Sequence, residues 1–280
     1  MIREIDTNEI REAVRSLALT ACRRMEPHAR AALERACVKE TCANARYAMD
    51  MLLENDRIAR EREMPLCQDT GMAIVFLELG QDVHLTGAPL GEAVNEGVRR
   101  AWREGCFRMS VLDPVTRVNT GDNTPAVLHT ELVPGDRIKV SFLAKGFGSE
   151  NMTRLYMLTP AQGLPAAVEK VTEAVVSAGA NPCPPVFVGV GMGGTADKAM
   201  ELSKRALLRP IGTPNPRADL DALERRMLEA INASRVGAQG FTGDTTALAV
   251  HIEAFPTHIC ALPVAVNIQC NAVRCASLTL

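Results

Sequence analysis

Three cysteines lie where the local sequence restricts the backbone and brings a sulfur to the edge of an element. Cys67 falls in Met64-Pro65-Leu66-Cys67-Gln68-Asp69-Thr70-Gly71, which packs a thiol, an amide, a carboxyl and a hydroxyl into a turn ahead of an apolar run. Polar loop residues held by a rigid scaffold are disproportionately the ones that bind or react. Cys183 stands between Pro182 and Pro184-Pro185, and Cys270 ends the apolar run Leu262 to Ile268. Thiols this far apart in sequence could converge on one iron-sulfur cluster. An electron carrier normally offers four protein ligands, so three would leave one iron open as a Lewis acid. Spacing alone equally allows a noncatalytic cluster protein, carrier or sensor, and it allows simple packing of the thiols.

Gly189-Val190-Gly191-Met192-Gly193-Gly194 also satisfies G-x-G-x-x-G, the dinucleotide fingerprint. That fingerprint needs a second parallel strand ending in an acid about 20 residues later. Here the chain runs instead into Arg209-Pro210 and further prolines, so a dinucleotide site is disfavoured. What remains is either a glycine-rich helix start suited to a carboxylate or a tight strand-helix turn.

The elements that would position these groups follow from periodicity. Asp6-Thr7-Asn8-Glu9 resembles a capping box ahead of Ile10, Val14, Leu17 and Ala21 at helical spacing. Pro27 opens a second helical stretch ending near Arg57 to Arg62. Ala73 to Leu77 reads as a buried strand, and Leu90, Ala93, Val94, Val98 and Ala101 mark one helix face. Val127 to Val133 and Arg137 to Ala144 flank Pro134-Gly135-Asp136, which predicts an antiparallel hairpin. Thr159-Pro160 predicts a helix start, with the helix running to about Gly179. Val186 to Val190 reads as a strand, Thr195 to Leu208 and Asp219 to Ser234 as helices, and Thr246 to Ile252 and Leu262 to Ile268 as strands. The expectation is an α+β fold, with mixed or antiparallel sheets flanked by helices. It would form a single domain over residues 1–280, helical over about 1–62 and mixed over about 63–280.

Composition narrows the class. With 280 residues, 47% hydrophobic and 23% charged, the chain can bury a sizeable core. A net charge of -2 supplies no basic field for nucleic acid or an anionic membrane. The mixed-charge start predicts no secretion signal, and no apolar run approaches the ~20 residues that span a bilayer, so a cytoplasmic protein is expected. Nine cysteines without a CxxC pair, an odd count, are then expected as thiols or metal ligands.

Taken together, the segments PLCQDTG (65–71), Arg108-Met109-Ser110 with Asp113-Pro114, NTGDNTPA (119–126), KGFGSENMT (145–153), NPCPP (181–185), GMGGTADK (191–198), TTALAVH (245–251), PTHI (256–259) and LPVAVNIQC (262–270) form an ordered series over nearly the whole chain. The series resembles the alpha part of class I, iron-sulfur fumarases and the related L-tartrate dehydratases. The resemblance implies a hydro-lyase alpha subunit that reversibly hydrates fumarate to L-malate, with L-tartrate dehydration as the alternative. It implies a 4Fe-4S cluster held by Cys67, Cys183 and Cys270, the fourth iron being left for substrate. Gln68, Asp69, Arg108, Gly148, Asn151, Met152 and Thr153 would bind the dicarboxylic acid, and Asp69 and His258 would be catalytic. His251, inside an apolar strand, reads as a core residue, and Cys106, Cys260 and Cys275 read as nonligating. Asn271 and Cys275 stand where family members often have histidines, which bears on substrate choice. Leu280 comes ten residues after Cys270. The second domain of single-chain relatives is therefore expected as a separately encoded beta subunit, in a two-fold symmetric hetero-oligomer.

Overall fold

A computed structural model describes residues 2–280. In chain order the elements are β1 (Arg3–Asp6), α1 (Thr7–Arg23), α2 (Pro27–Lys39), α3 (Ala43–Arg62), β2 (Met72–Gly80), β3 (Val83–Thr86), α4 (Leu90–Glu104), β4 (Val127–Val133), β5 (Ile138–Lys145), α5 (Phe147–Glu150), β6 (Arg154–Leu158), α6 (Gly163–Ala178), β7 (Val186–Gly193), α7 (Ala196–Ala206), α8 (Ala218–Ala233), β8 (Ala247–Phe255), β9 (Leu262–Gln269) and β10 (Cys275–Thr279). This is the expected α+β class. The described residues form two compact units, one of residues 2–26, 56–146 and 274–280, the other of residues 27–55 and 147–273.

The first unit holds a four-stranded sheet in the order β10-β5-β2-β4 and the small parallel pair β1-β3. Asp6 caps α1 by accepting the Asn8 amide at 2.8 Å. This starts the helix where its apolar stripe begins, and Ile10, Val14 and Leu17 then pack with Val98 and Trp102 of α4 and Val140 and Phe142 of β5. The expected hairpin does not form. β2 lies between the two strands, parallel to β4 and antiparallel to β5. β2 is almost wholly buried, whereas β4 is largely open on its surface, so the apolar strand takes the centre and the polar one the edge. The connection at 133–137 bonds to the end of β2 instead, with Gln81 N to Val133 O at 2.8 Å and Gly80 N to Arg137 O at 2.9 Å.

The second unit holds a sheet in the order β6-β9-β7-β8. Val186, Val188, Val190 and Met192 share a core with α6 and α8. The alternate residues Gly189 and Gly191 face the other way, because successive strand residues point to opposite faces. There a Cβ on Gly191 would lie 1.9 Å from Ala199 O, so the glycines admit α7 directly against β7. Gly189 and Gly191 are thus inside a strand that ends at Gly193, and the next strand of the sheet beyond α7 and α8 begins only at Ala247. No second parallel strand follows at dinucleotide spacing, and Gly193 and Gly194, at φ +88 and +68, make the tight strand-helix turn into α7. The helical stretch from Pro27 is two helices. The break is fixed by buried Glu40, whose carboxylate accepts the amides of Cys42 (3.0 Å), Asp244 (2.9 Å) and Thr245 (3.1 Å). Thr159 does not start α6 but donates N–H to Gln162 Oε1 at 2.8 Å, and the helix opens at Gly163. Among the described residues no helix is long and apolar enough to cross a membrane.

Candidate active site

In the first unit the turn carrying Cys67, Gln68 and Asp69 is fastened along its length. Leu66 N donates to Cys22 O at 2.8 Å, and Asp69 Oδ1 accepts Gly71 N at 2.9 Å. Buried Asn123 donates to Gly71 O at 3.1 Å and accepts Ser110 N at 2.7 Å, so the 119–126 motif serves as a brace for this turn. Thr70 Oγ1 donates to Arg108 O at 3.0 Å, and Trp102 Nε1 donates to the same carbonyl at 3.2 Å. Cys67, Gln68, Asp69 and Arg108 are thereby brought onto one scaffold, with Cys67, Gln68 and Arg108 exposed. The Arg108 guanidinium has no ion pair or hydrogen bond among the described residues, whereas Arg99 nearby is tied to Glu96 and Asp122.

In the second unit Cys183 is exposed and adopts φ +55, the left-handed region. Its carbonyl accepts both the Asn271 backbone N–H (3.3 Å) and Asn271 Nδ2 (2.7 Å), and Gln239 donates from N and Nε2 to Pro184 O at 2.8 and 2.7 Å. Asn271 directly follows Cys270, so the two thiol-bearing segments are joined. β9 is antiparallel to β7, which puts the start of β7 and the end of β9 at one end of the sheet. Gly148 is at that end too, since a Cβ there would lie 3.1 Å from Asn181 O. Asn267 of β9 donates to Thr153 Oγ1 at 2.9 Å and Glu150 Oε2 at 3.0 Å, which holds the Asn151-Met152-Thr153 segment in the same place.

His258 is elsewhere. It lies in the connection from β8 to β9, where Thr257 Oγ1 donates to Gly194 O at 3.1 Å and Cys260 N donates to His258 Nδ1 at 3.2 Å. The length of β9, 8 residues, separates it from Cys270 by about 25 Å within this unit. His258 is exposed and is not part of the Cys183–Cys270 constellation in this chain. His251 is the core residue its strand suggested: it stacks edge-on against Phe187 with centroids 4.7 Å apart, and burial pushes its pKa down to about 3.

The remaining thiols sort by environment. Burial pushes Cys22 and Cys275 up to about 12, and burial together with Asp50 pushes Cys37 to about 11. A metal ligand must be a thiolate, so these three stay protonated and inert. Cys67 and Cys183 are exposed and Cys270 is half-buried, and soft sulfur donors on ordered turns fit an iron-sulfur cluster. No group of three or more His, Cys, Asp or Glu among the described residues is gathered as a single-ion site would require. Asn123, Asn271, Gln239 and Arg274 had no signal in residue spacing, because each acts by reaching backbone atoms remote in sequence.

The sequence profile of the family described as fumarate hydratase (Fumerase) matches residues 11–279. A Methanocaldococcus jannaschii protein, described provisionally as an L(+)-tartrate dehydratase subunit alpha, is 41% identical over 249 residues, covering 87% of each chain. The L(+)-tartrate dehydratase subunits alpha of Escherichia coli (strain K12) and Shigella boydii serotype 4 are each 32% identical over 243 residues, or 85% of this chain and 80% of theirs.

Proposed function

Since this chain belongs to the fumarate hydratase (Fumerase) family, and is therefore a hydro-lyase, we propose that it is the cluster-carrying alpha subunit of an enzyme that reversibly hydrates fumarate to L-malate. The observation that carries the reading is the unpaired Arg108 guanidinium on the same scaffold as Cys67, Gln68 and Asp69. A planar fork of donors matches a carboxylate bidentately, and no carboxylate among the described residues takes it. Cys67, Cys183 and Cys270 would hold a 4Fe-4S cluster, which when bound supplies a Lewis acid at the iron that has no cysteine. Arg108 then anchors one substrate carboxylate and the Gln68 amide contacts the same ligand. Asp69, its Oδ1 oriented by Gly71 N, moves a proton at the substrate. Gly148 and Asn151 to Thr153 line the end of the second unit that carries Cys183 and Cys270. His258 stays outside this constellation within one chain.

The relatives' names specify an alpha subunit, and we assign this chain a separately encoded beta partner in a two-fold symmetric assembly, with the cytoplasm as its compartment. The same names favour a second reading, dehydration of L(+)-tartrate. Anaerobic reconstitution with the beta chain, followed by kcat/KM for fumarate, L-malate and L(+)-tartrate, separates them. A preference for tartrate over malate overturns the fumarate reading. Normal turnover by an Arg108→Lys protein with its cluster intact overturns the carboxylate clamp, because lysine keeps the charge but not the fork.

A further inference from the structure

A charged fastening of the Cys67–Asp69 turn comes from the far end of the sequence. Arg274 is among the largest fully buried side chains, 1% exposed. A buried guanidinium is costly unless its donors are used, so its retention in an apolar core calls for a specific partner. One donor, Nη1, goes to Asp69 O. The Arg274 backbone is itself fixed, its carbonyl accepting Ala144 N at 2.9 Å. At the end of β5 the next residue is Gly146, where a Cβ would lie 2.7 Å from Arg274 Nη2 and 3.1 Å from Asp69 Oδ2. The guanidinium and the carboxylate therefore meet over the one residue of that strand end that has no side chain. Asp69 Oδ1 is already taken by Gly71 N, so the carboxylate has a single defined orientation.

We infer that Arg274 is a positioning residue for Asp69, and that Gly146 is the space that lets the two side chains converge. The inference rests on the proposed role of Asp69 at the substrate and adds what holds that carboxylate in place. Arg274 acts through Asp69 and touches no substrate. Displacing a reacting group by about 1 Å can cost roughly 10²-fold in rate.

The test compares Arg274→Lys, Gly146→Ala and Asp69→Asn in the cluster-loaded complex with its beta chain, with hydrogen exchange on the same proteins. Arg274→Lys keeps a charge without the fork, and Gly146→Ala leaves Arg274 in place but intrudes on it. Each is expected to lower kcat by about 10²-fold while KM moves by less than about threefold. Exchange should quicken in segment 66–71 and stay slow in β2 and β5. Unchanged kcat in both variants, with Asp69→Asn inactive, overturns the positioning role alone. Exchange that rises equally through β2 and β5 marks a general structural staple and also overturns it. Full turnover by Asp69→Asn instead removes the reading on which the inference rests. If Arg274→Lys does not fold, Gly146→Ala carries the comparison.

Discussion

Cys183 holds a left-handed backbone, φ +55, that costs a non-glycine residue about 1–2 kcal/mol. Glycine would relieve that cost, so the turn by itself does not call for a cysteine. Cys183→Gly is accordingly expected to leave the thermal midpoint of the metal-free protein unchanged or slightly raised while iron content falls; full iron content would remove Cys183 from the ligand set. Cys22→Ser should do the reverse. It keeps iron but loses about 1–3 kcal/mol, because a hydroxyl replaces a thiol in a fully buried site. The flanking prolines made Cys183 legible in the sequence. The hydrogen bonds from Asn271 and Gln239 that hold it were not, since their partners are backbone carbonyls 55 or more positions away. Asp122 gives a pH test of the brace behind the Cys67 turn. Burial would raise its pKa, but hydrogen bonds from Thr124 and Arg99 outweigh that and hold it at about 2, below an ordinary 3.8. A carboxylate with a depressed folded pKa stabilises above its unfolded pKa, and the contribution is lost as pH falls from about 4 to about 2. Thermal midpoints over that range should drop less steeply for Asp122→Asn than for the natural protein, and parallel curves would contradict the assignment.

Helices and strands with strong periodicity were readable, and their pairing was not. α1, α4, β2, β7 and β9 fall close to where apolar spacing put them, because each buries a stripe or face that the sequence displays. The 127–144 hairpin failed because a turn signal specifies a reversal of the chain but says nothing about a third strand between the two arms. β2 outcompetes β4 for the place beside β5 since burying its run of apolar residues is worth more than shortening a loop. β1, β3, β6 and β10 are 4 or 5 residues each, too short for a period to show. The G-x-G-x-x-G match shows why a motif needs its element. Inside β7, Gly189 and Gly191 are contact surfaces for α7, and Gly191→Ala would drive a methyl into Ala199 O, 1.9 Å away. Either α7 or β7 must shift, which should cost about 3 kcal/mol or more in a denaturant titration. A loss below about 1 kcal/mol would show that α7 does not rest on the strand. Element direction also sets the separation of the histidine, for β9 carries the chain the length of the sheet between His258 and Cys270.

At the scale of the molecule, what the sequence concealed is that neither unit is a continuous stretch of chain. A helical part followed by a mixed part is the natural reading of periodicity, yet residues 274–280 complete the sheet begun by residues 72–80. Composition cannot reveal this, because β10 adds to β5 through backbone hydrogen bonds that any short strand could make. The consequence can be measured by ending the chain at Val273. The first unit would lose the antiparallel β10–β5 ladder, the pair of bonds between Leu280 and Ile138 and the Arg274 bond to Asp69 O. It would also lose Leu278 and Leu280 from its core. Two partly buried leucines and a five-residue strand are worth several kcal/mol, a large share of the roughly 5–15 kcal/mol typical of a folded protein. The hydrogen bonds of β7 and β9 in the second unit involve none of the deleted residues, so that sheet supplies an internal reference. Hydrogen exchange on the shortened chain should show β2 and β5 losing protection by a larger factor than β7 and β9, with the 66–71 segment among the first to exchange. Equal protection of both sheets, with the Cys67 turn as slow as in the full chain, would mean that the last seven residues merely decorate the first unit and do not hold together its sheet and the turn that carries Cys67 and Asp69.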